Sequence, residues 1–325
     1  MSDFRPTADE ATLRRRAELL RMVRRFFDER GFLEVETPIL SRDTVIDRHL
    51  DPPAIEICAA GETRPMWLQT SPEFAMKRLL AAGFGPIYQI ARAFRQGERG
   101  PRHNPEFTLV EWYRPGDDYE AGMRLLGDLC QALLARGPAV RLTYREAFMQ
   151  FAGCDPLAAS DAELIATARA RVPDTAEAFL RSPTPTDRDA WLDLLLTELV
   201  EPKLGFAAPT LLCDYPPSQA ALARVRNDEP PVAERFELYV DGIELANGYH
   251  ELLDADALRQ RNAENNRLRT IDGKSTLPED SRLLAAMEHG LPACTGCALG
   301  FDRVVMLACG KREIADVLTF PIERA

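Results

Sequence analysis

The sequence predicts an α+β fold in which an antiparallel sheet is flanked by helices and carries a helical insertion. Three observations predict it. Helix-period apolar spacing is confined to the start, the middle and the end of the chain. Two apolar runs, PIYQIARAF and EFTLVEWYR, are separated by a charged, Gly-punctuated stretch from Arg95 to Asn104. A late FELYV run turns at Asp241-Gly242 into IELANGYHE, which is a hairpin signal. At 325 residues and 46% hydrophobic composition the chain can bury one sizeable core. No repeat, low-complexity tract or flexible linker divides it, so residues 1–325 read as one domain with the insertion at about 118–205.

A first helix is expected after Pro6. Thr7 and Glu10 form a candidate capping box, Leu13, Leu20, Val23 and Phe27 recur near helical spacing, and Gly31 closes the segment. The next stretch, GFLEVETPIL (Gly31 to Leu40), alternates Leu33 and Val35 against Glu34 and Glu36, a strand pattern that Pro38 ends or confines to an edge. The two apolar runs that follow read as strands, and a loop as long as the one between them is usually functional in a compact domain. Helical patterns then lie around Met123 to Leu134, Ala162 to Ala170 and Trp191 to Val200, the second opened by a Ser160/Glu163 capping box. Strands return at Thr210 to Pro216 and Phe236 to Val240, and the hairpin after them makes the sheet largely antiparallel. Gly296, Gly300 and the apolar run Phe301 to Leu307 read as a tight turn opening into a last helix.

Composition narrows the function. No stretch approaches the roughly 18 to 20 uninterrupted apolar residues that cross a bilayer, and MSDFRPTADE lacks the apolar core of a signal peptide, so a cytoplasmic protein without membrane contact is expected. The seven cysteines are an odd, scattered set, expected as free thiols. Cys294 and Cys297 form a C-x-x-C, but no second Cys or His pair stands at zinc-finger spacing. A net charge of −11 argues against broad adhesion to phosphate backbones. The run Arg14, Arg15, Arg16, Arg21, Arg24 and Arg25 reads as the solvated face of the first helix, because apolar residues recur at helical spacing through it.

Three segments carry chemistry. In FRQGERGPRHNPEFTLVEWYR, Arg95, Arg99, Arg102 and His103 share one loop, and Glu106, Phe107 and Glu111 lie on the strand leaving it. Arginines between strands can clamp phosphate oxygens bidentately, and a nearby Phe face can stack a base. Glu244 and Glu251 flank Asn247-Gly248 in the second hairpin strand, where regular alternation would put them on opposite faces. A bulge at Asn247-Gly248 would let both point at one site and share Mg²⁺ or a substrate ammonium; otherwise they are two exposed hairpin carboxylates. The last helix offers free N–H groups to an anion at its start, with Arg303 in the first turn.

In order and wording these segments resemble the three motifs of class II aminoacyl-tRNA synthetases of the lysyl type, from about Leu13 to Pro321. The first helix with GFLEVETPIL is similar to motif 1, the dimer element; the arginine-rich hairpin to motif 2; and GCALGFDRVVML to motif 3. The segment FELYVDGIELANGYHEL resembles the lysyl-type stretch that holds metal and substrate amine. The resemblance implies a bent ATP with catalytic Arg95 on the α-phosphate, catalytic Arg303 near the γ-phosphate, and adenine between Phe107 and Arg303. Gln96, Gly97, His103, Asn104, Leu245 and Gly300 would complete the ATP surface, and Glu244 and Glu251 would be Mg²⁺-associated carboxylates. Ser71, Pro72 and Glu73 (in TSPEFAMKRLL), Tyr113, Asn247, Glu251 and Ala298 would surround the amino acid.

The chain departs from lysyl-tRNA synthetases in front of motif 1, where about thirty residues cannot hold their anticodon-binding barrel. It therefore resembles more closely the truncated lysyl-synthetase-like ligases that attach (R)-β-lysine to a lysine of elongation factor P, and stable tRNA binding is not expected. Ala298 stands where lysyl-tRNA synthetases usually carry Gly, and one methyl can disfavour an α-amino group by ~1 to 3 kcal/mol. Arg95-Gln96-Gly97 replaces the Arg-Asn-Glu of lysyl synthetases, so a nucleotide-contacting carboxylate is missing or supplied by Glu98. The implied reaction is adenylate formation followed by attack of a protein lysine amine, without a covalent enzyme intermediate. The rival readings are a compact tRNA-charging enzyme and a non-catalytic synthetase-like regulator.

Overall fold

The computed structural model describes residues 4–59, 62–181 and 187–325. Helix α1 (Glu10–Asp28) begins one residue after Asp9, whose carboxylate accepts from the Thr12 amide at 2.7 Å. The cap is therefore Asp9 and not Thr7. A shorter acidic side chain beside the first turn satisfies a free N–H and also favours the positive dipole end. The basic face of α1 is largely neutralised by carboxylates: Arg14 pairs with Glu10, Arg15 with Glu18 and Arg24 with Glu34.

The expected Gly31–Leu40 strand shrinks to β1 (Leu33–Glu34) and β2 (Leu40–Ser41), which belong to different sheets. Phe32 is buried against Phe27, while Leu33 points outward. Strands β3 (Ala54–Ala59) and β4 (Glu62–Leu68) complete a small sheet with β2. Helix α2 (Glu73–Ala81) follows, and then β5 (Ile87–Phe94) and β6 (Glu106–Pro115) form the anticipated hairpin around the 95–105 loop.

Helix α3 (Tyr119–Leu134) packs Met123, Leu126 and Leu129 into the same core as Phe27, Trp112 and Phe301, so it is a layer of the main sheet. After β7 (Val140–Thr143), helices α4 (Tyr144–Ala147, extended by a π-helical turn to Ala152), α5 (Asp161–Arg171), α6 (Pro173–Leu180) and α7 (Arg188–Leu195, extended to Val200) build a second core around Tyr144, Phe148, Trp191 and Tyr215. The Ser160/Glu163 capping box opens α5 as expected. The remaining strands are β8 (Thr210–Tyr215), β9 (Val225–Arg226), β10 (Val232–Val240), β11 (Ile243–His250) and β12 (Cys294–Gly300), with α8 (Ala255–Ile271) and α9 (Arg282–Gly290) before β12 and α10 (Phe301–Ala308) after it.

The main sheet runs β1-β5-β6-β12-β11-β10-β8-β7, with β9 paired to β10. Pairing is antiparallel from β5 to β8 and parallel only at the two ends. This is the α+β architecture read from the sequence. Cys294 and Cys297, three apart on β12, project to opposite faces and pack in separate cores, so they cannot share a ligand. All seven cysteines are free.

Candidate active site

One face of β6, β12 and β11 floors a cavity of about 920 Å³, with walls from α2, the 95–105 loop, α8 and the first turn of α10. The bulge that aligns Glu244 with Glu251 exists, but not at Asn247-Gly248. Leu238 pairs with Ala246 and Tyr239 with Glu244, so the extra residue is Leu245, and the ladder runs regularly through Asn247 and Gly248. One added residue reverses the alternation. Glu244, Asn247, Tyr249 and Glu251 therefore all face the cavity.

At one end lie Arg95, Glu98, Arg102, His103, Phe107, Glu244, Gly300 and Arg303. The Arg95 guanidinium stands 4.9 Å over the Phe107 ring and 3.6 Å from Glu98, and its buried Nε has no hydrogen-bond partner among the described residues. Glu98 thus supplies a carboxylate at this end, next along from Gly97. Arg303 donates from Nη1 to the Glu244 carbonyl at 2.8 Å and meets His103 Nε2 through Nη2 at 2.7 Å. Burial, reinforced by the Arg303 charge, lowers the His103 pKa and keeps the ring neutral. Asp302, just inside α10, accepts from the Thr108 amide at 2.7 Å and from Arg16 at 2.6 Å, which fixes the helix start to β6 beside Phe107.

The other end is acidic and dry. Ser71 and Tyr113 each donate to Glu111 at 2.7 Å. Burial, with help from Glu73, pushes Glu111 up to about 7. Glu251 is 0% exposed. Its Oε2 lies 2.5 Å from Lys77 Nζ in ion-pair contact, yet neither carboxylate oxygen has a partner of hydrogen-bond geometry among the described residues. Burial holds Glu251 well above the usual carboxylate range, against the pull of Lys77. Asn247 Oδ1 is likewise buried and unpartnered. Gly296 is what admits this arrangement, since a Cβ there would fall 2.2 Å from Tyr113 Cε1 and 2.3 Å from Glu251 Oε1.

The cavity collects most of the anticipated residues: Ser71, Glu73, Arg95, His103, Asn104, Phe107, Tyr113, Glu244, Leu245, Asn247, Glu251, Ala298, Gly300 and Arg303. Three fall outside its lining. Pro72 is buried at the start of α2, Gln96 is tied by its amide to the Asp51 carbonyl, and Gly97 turns with positive φ and no neighbour at its Cβ position. Asn104 lines the cavity but engages both amide ends within the protein, with the Glu106 carbonyl and the Ile322 amide. Both anticipated metal carboxylates are ion-paired, Glu251 with Lys77 at 2.5 Å and Glu244 with Arg303 at 3.2 Å; Glu244, half-buried, is the one at the arginine end of the cavity. Sequence reasoning named Glu111 without giving it a role, and it missed Lys77 entirely. The Glu73/Lys77 spacing of four was the available signal, legible only once that segment is read as a helix.

Comparison with known proteins identifies the family. The family model described as tRNA synthetases class II (D, K and N) matches residues 1–324. Proteins named elongation factor P (R)-β-lysine ligase from Salmonella arizonae and Salmonella typhi are each 46% identical over 325 residues, covering 99% of this chain and 98% of theirs. With an antiparallel sheet, an arginine-bearing β5–β6 loop and a glycine-led α10 in the expected order, the chain belongs to the class II tRNA synthetase family.

Proposed function

We propose that this chain is an ATP-dependent ligase that activates (R)-β-lysine as its adenylate and transfers it to a lysine side chain of elongation factor P in the cytoplasm. The carrying observation is one cavity with an arginine-rich end suited to phosphates and, at its other end, a buried Glu251 whose carboxylate oxygens lack hydrogen bonds and suit an ammonium. The names of the relatives supply the substrate and the acceptor.

The substrate carboxylate attacks the α-phosphorus of ATP, the bond from that phosphorus to the bridging oxygen breaks, and pyrophosphate leaves. Arg95 and Arg303 offset the charge that develops, and the adenine enters between Phe107 and Arg303. A neutral lysine amine of the acceptor then attacks the activated carbonyl, forming an amide, releasing AMP and giving its proton to solvent. Glu244 would be the protein carboxylate for Mg²⁺, an ion usually held by one or two carboxylates together with phosphates and water. When bound, that ion neutralises phosphate charge.

Ala298 lies in register between Glu111 on β6 and Asn247 on β11, so its methyl bears on the amine end. Pyrophosphate exchange with Mg²⁺ should run better with (R)-β-lysine than with α-lysine, and Ala298→Gly should narrow the difference. Equal use of α-lysine would remove the isomer assignment. Transfer of radioactive β-lysine to elongation factor P tests the second step, and transfer to tRNA instead would favour the tRNA-charging reading.

A further inference from the structure

We propose that Lys77 is a positioning residue for the amine substrate: it clamps one oxygen of Glu251, cancels one of the two charges of Glu73 and Glu251, and leaves Glu251 Oε1 free above Gly296. The inference rests on the ligase reading above. Lys77 is 2% exposed and stands 2.5 Å from both Glu73 Oε1 and Glu251 Oε2, so it ties α2 to the end of β11. Burial works against its charge, but Glu251 and Glu73 outweigh that and hold its pKa above the ordinary value. The side chain is therefore a fixed internal cation that does not reach the cavity lining, whereas Glu73 and Glu251 both do.

Electrostatics gives this cation a purpose. Glu73, Glu111 and Glu251 are three carboxyl groups around one buried site, and the charge of Glu73 adds to burial in raising the pKa of Glu111 and Glu251. Glu73, Glu251 and Lys77 set two carboxyl groups against one cation, so a substrate ammonium is the second cation that would balance them. The other groups facing this pair are the Tyr113 hydroxyl and Glu111 on β6, Tyr249 on β11 and the Cys294 thiol on β12, none of which supplies a positive charge. Arg224 reaches only the Glu251 carbonyl, through Nε at 3.0 Å. Helix α9, packed on α2, contributes the apolar Leu283, Leu284 and Met287.

Lys77→Met should raise the KM for (R)-β-lysine about tenfold or more in pyrophosphate exchange, with a smaller change in kcat, because ammonium binding is lost more than phosphate chemistry. The pH at which amine binding becomes strong should also move upward, since Glu251 and Glu111 lose the cation that draws their pKa down. Lys77→Arg should retain the wild-type pH midpoint. Lys77→Gln, a polar side chain without charge, repeats the test if Lys77→Met does not fold. A merely structural lysine predicts a lower Tm with KM and pH midpoint unchanged, and that result in either neutral variant overturns the proposal. Wild-type protein that shows no exchange with β-lysine at all would overturn the ligase reading instead.

Discussion

At the scale of single residues, the end of the cavity that we assign to the amine is lined by buried carboxyl groups. Glu111 illustrates this with a testable sign. Its folded pKa stands at about 7, above the ordinary value, so between that ordinary value and about 7 the folded protein binds more protons than the unfolded chain. Its contribution to stability is present at low pH and is lost as pH rises through about 7. Amine binding has the opposite need, because an ammonium requires the ionised form. The KM for β-lysine should therefore fall as pH is raised through about 7, and Glu111→Gln should flatten that dependence while weakening binding at the upper end. A Glu111→Gln profile as steep as wild type would assign the titration to another group. Arg95, Glu244, Glu251 and Arg303 were legible in the sequence because each sits beside a glycine or a turn that marks its segment. Lys77 was not, since it sits in the middle of a helix that the sequence reading did not recognise and its second partner, Glu251, lies 174 positions away and is supplied by the fold.

At the scale of elements, the site depends on strands that must keep small residues in particular places. Gly296 on β12 and Gly248 on β11 are neighbouring examples with different consequences. A Cβ at Gly248 would strike the Phe236 ring at 2.4 Å, in the main core, whereas one at Gly296 would strike Tyr113 and Glu251. Overpacking of this kind costs about 1 to 3 kcal/mol. Both Gly→Ala variants should therefore melt earlier, but Gly296→Ala should also raise the KM for the amine, while Gly248→Ala should leave it within about twofold. Equal KM values in the two variants would break the link between Gly296 and Glu251. Elements with strong local marks were legible: α1, the β5–β6 hairpin, the Asp241-Gly242 turn and α10 all appear where periodicity and turn residues put them. Helices α2, α8 and α9 and the β3–β4 hairpin escaped notice. Helix α8 carries few apolar residues along seventeen positions, so its polar cavity wall has little periodicity to read. The bulge at Leu245 is set by the pairing of β10 with β11, a long-range match that no local dipeptide signals.

At the scale of the whole molecule, the outward-facing apolar side chains point to a second copy. The alternation in GFLEVETPIL reads as a strand pattern that Pro38 ends or confines to an edge, and in the fold Leu33 is 53% exposed and Ile39 43% exposed. Phe84, just before β5, is 50% exposed and Ile55 on β3 is 38% exposed. Strand β1 is the end strand of the main sheet and has only two residues, so its open side is available for an isologous contact with the same segment of another chain. We expect a homodimer through β1, which pairs with β5, the strand leading into the 95–105 loop of the cavity. A stable interface generally buries about 1,200 to 2,000 Å² in total, more than four side chains provide, so α1 or the small sheet must contribute as well. Light scattering at micromolar concentration should give twice the 36.4 kDa chain mass. Leu33→Glu with Phe84→Glu should shift the protein toward that single-chain mass with little loss in the intrinsic stability of each subunit, because both positions are already solvent-facing in one chain. A wild-type protein that scatters as 36.4 kDa across that concentration range would leave the exposed apolar residues without this partner.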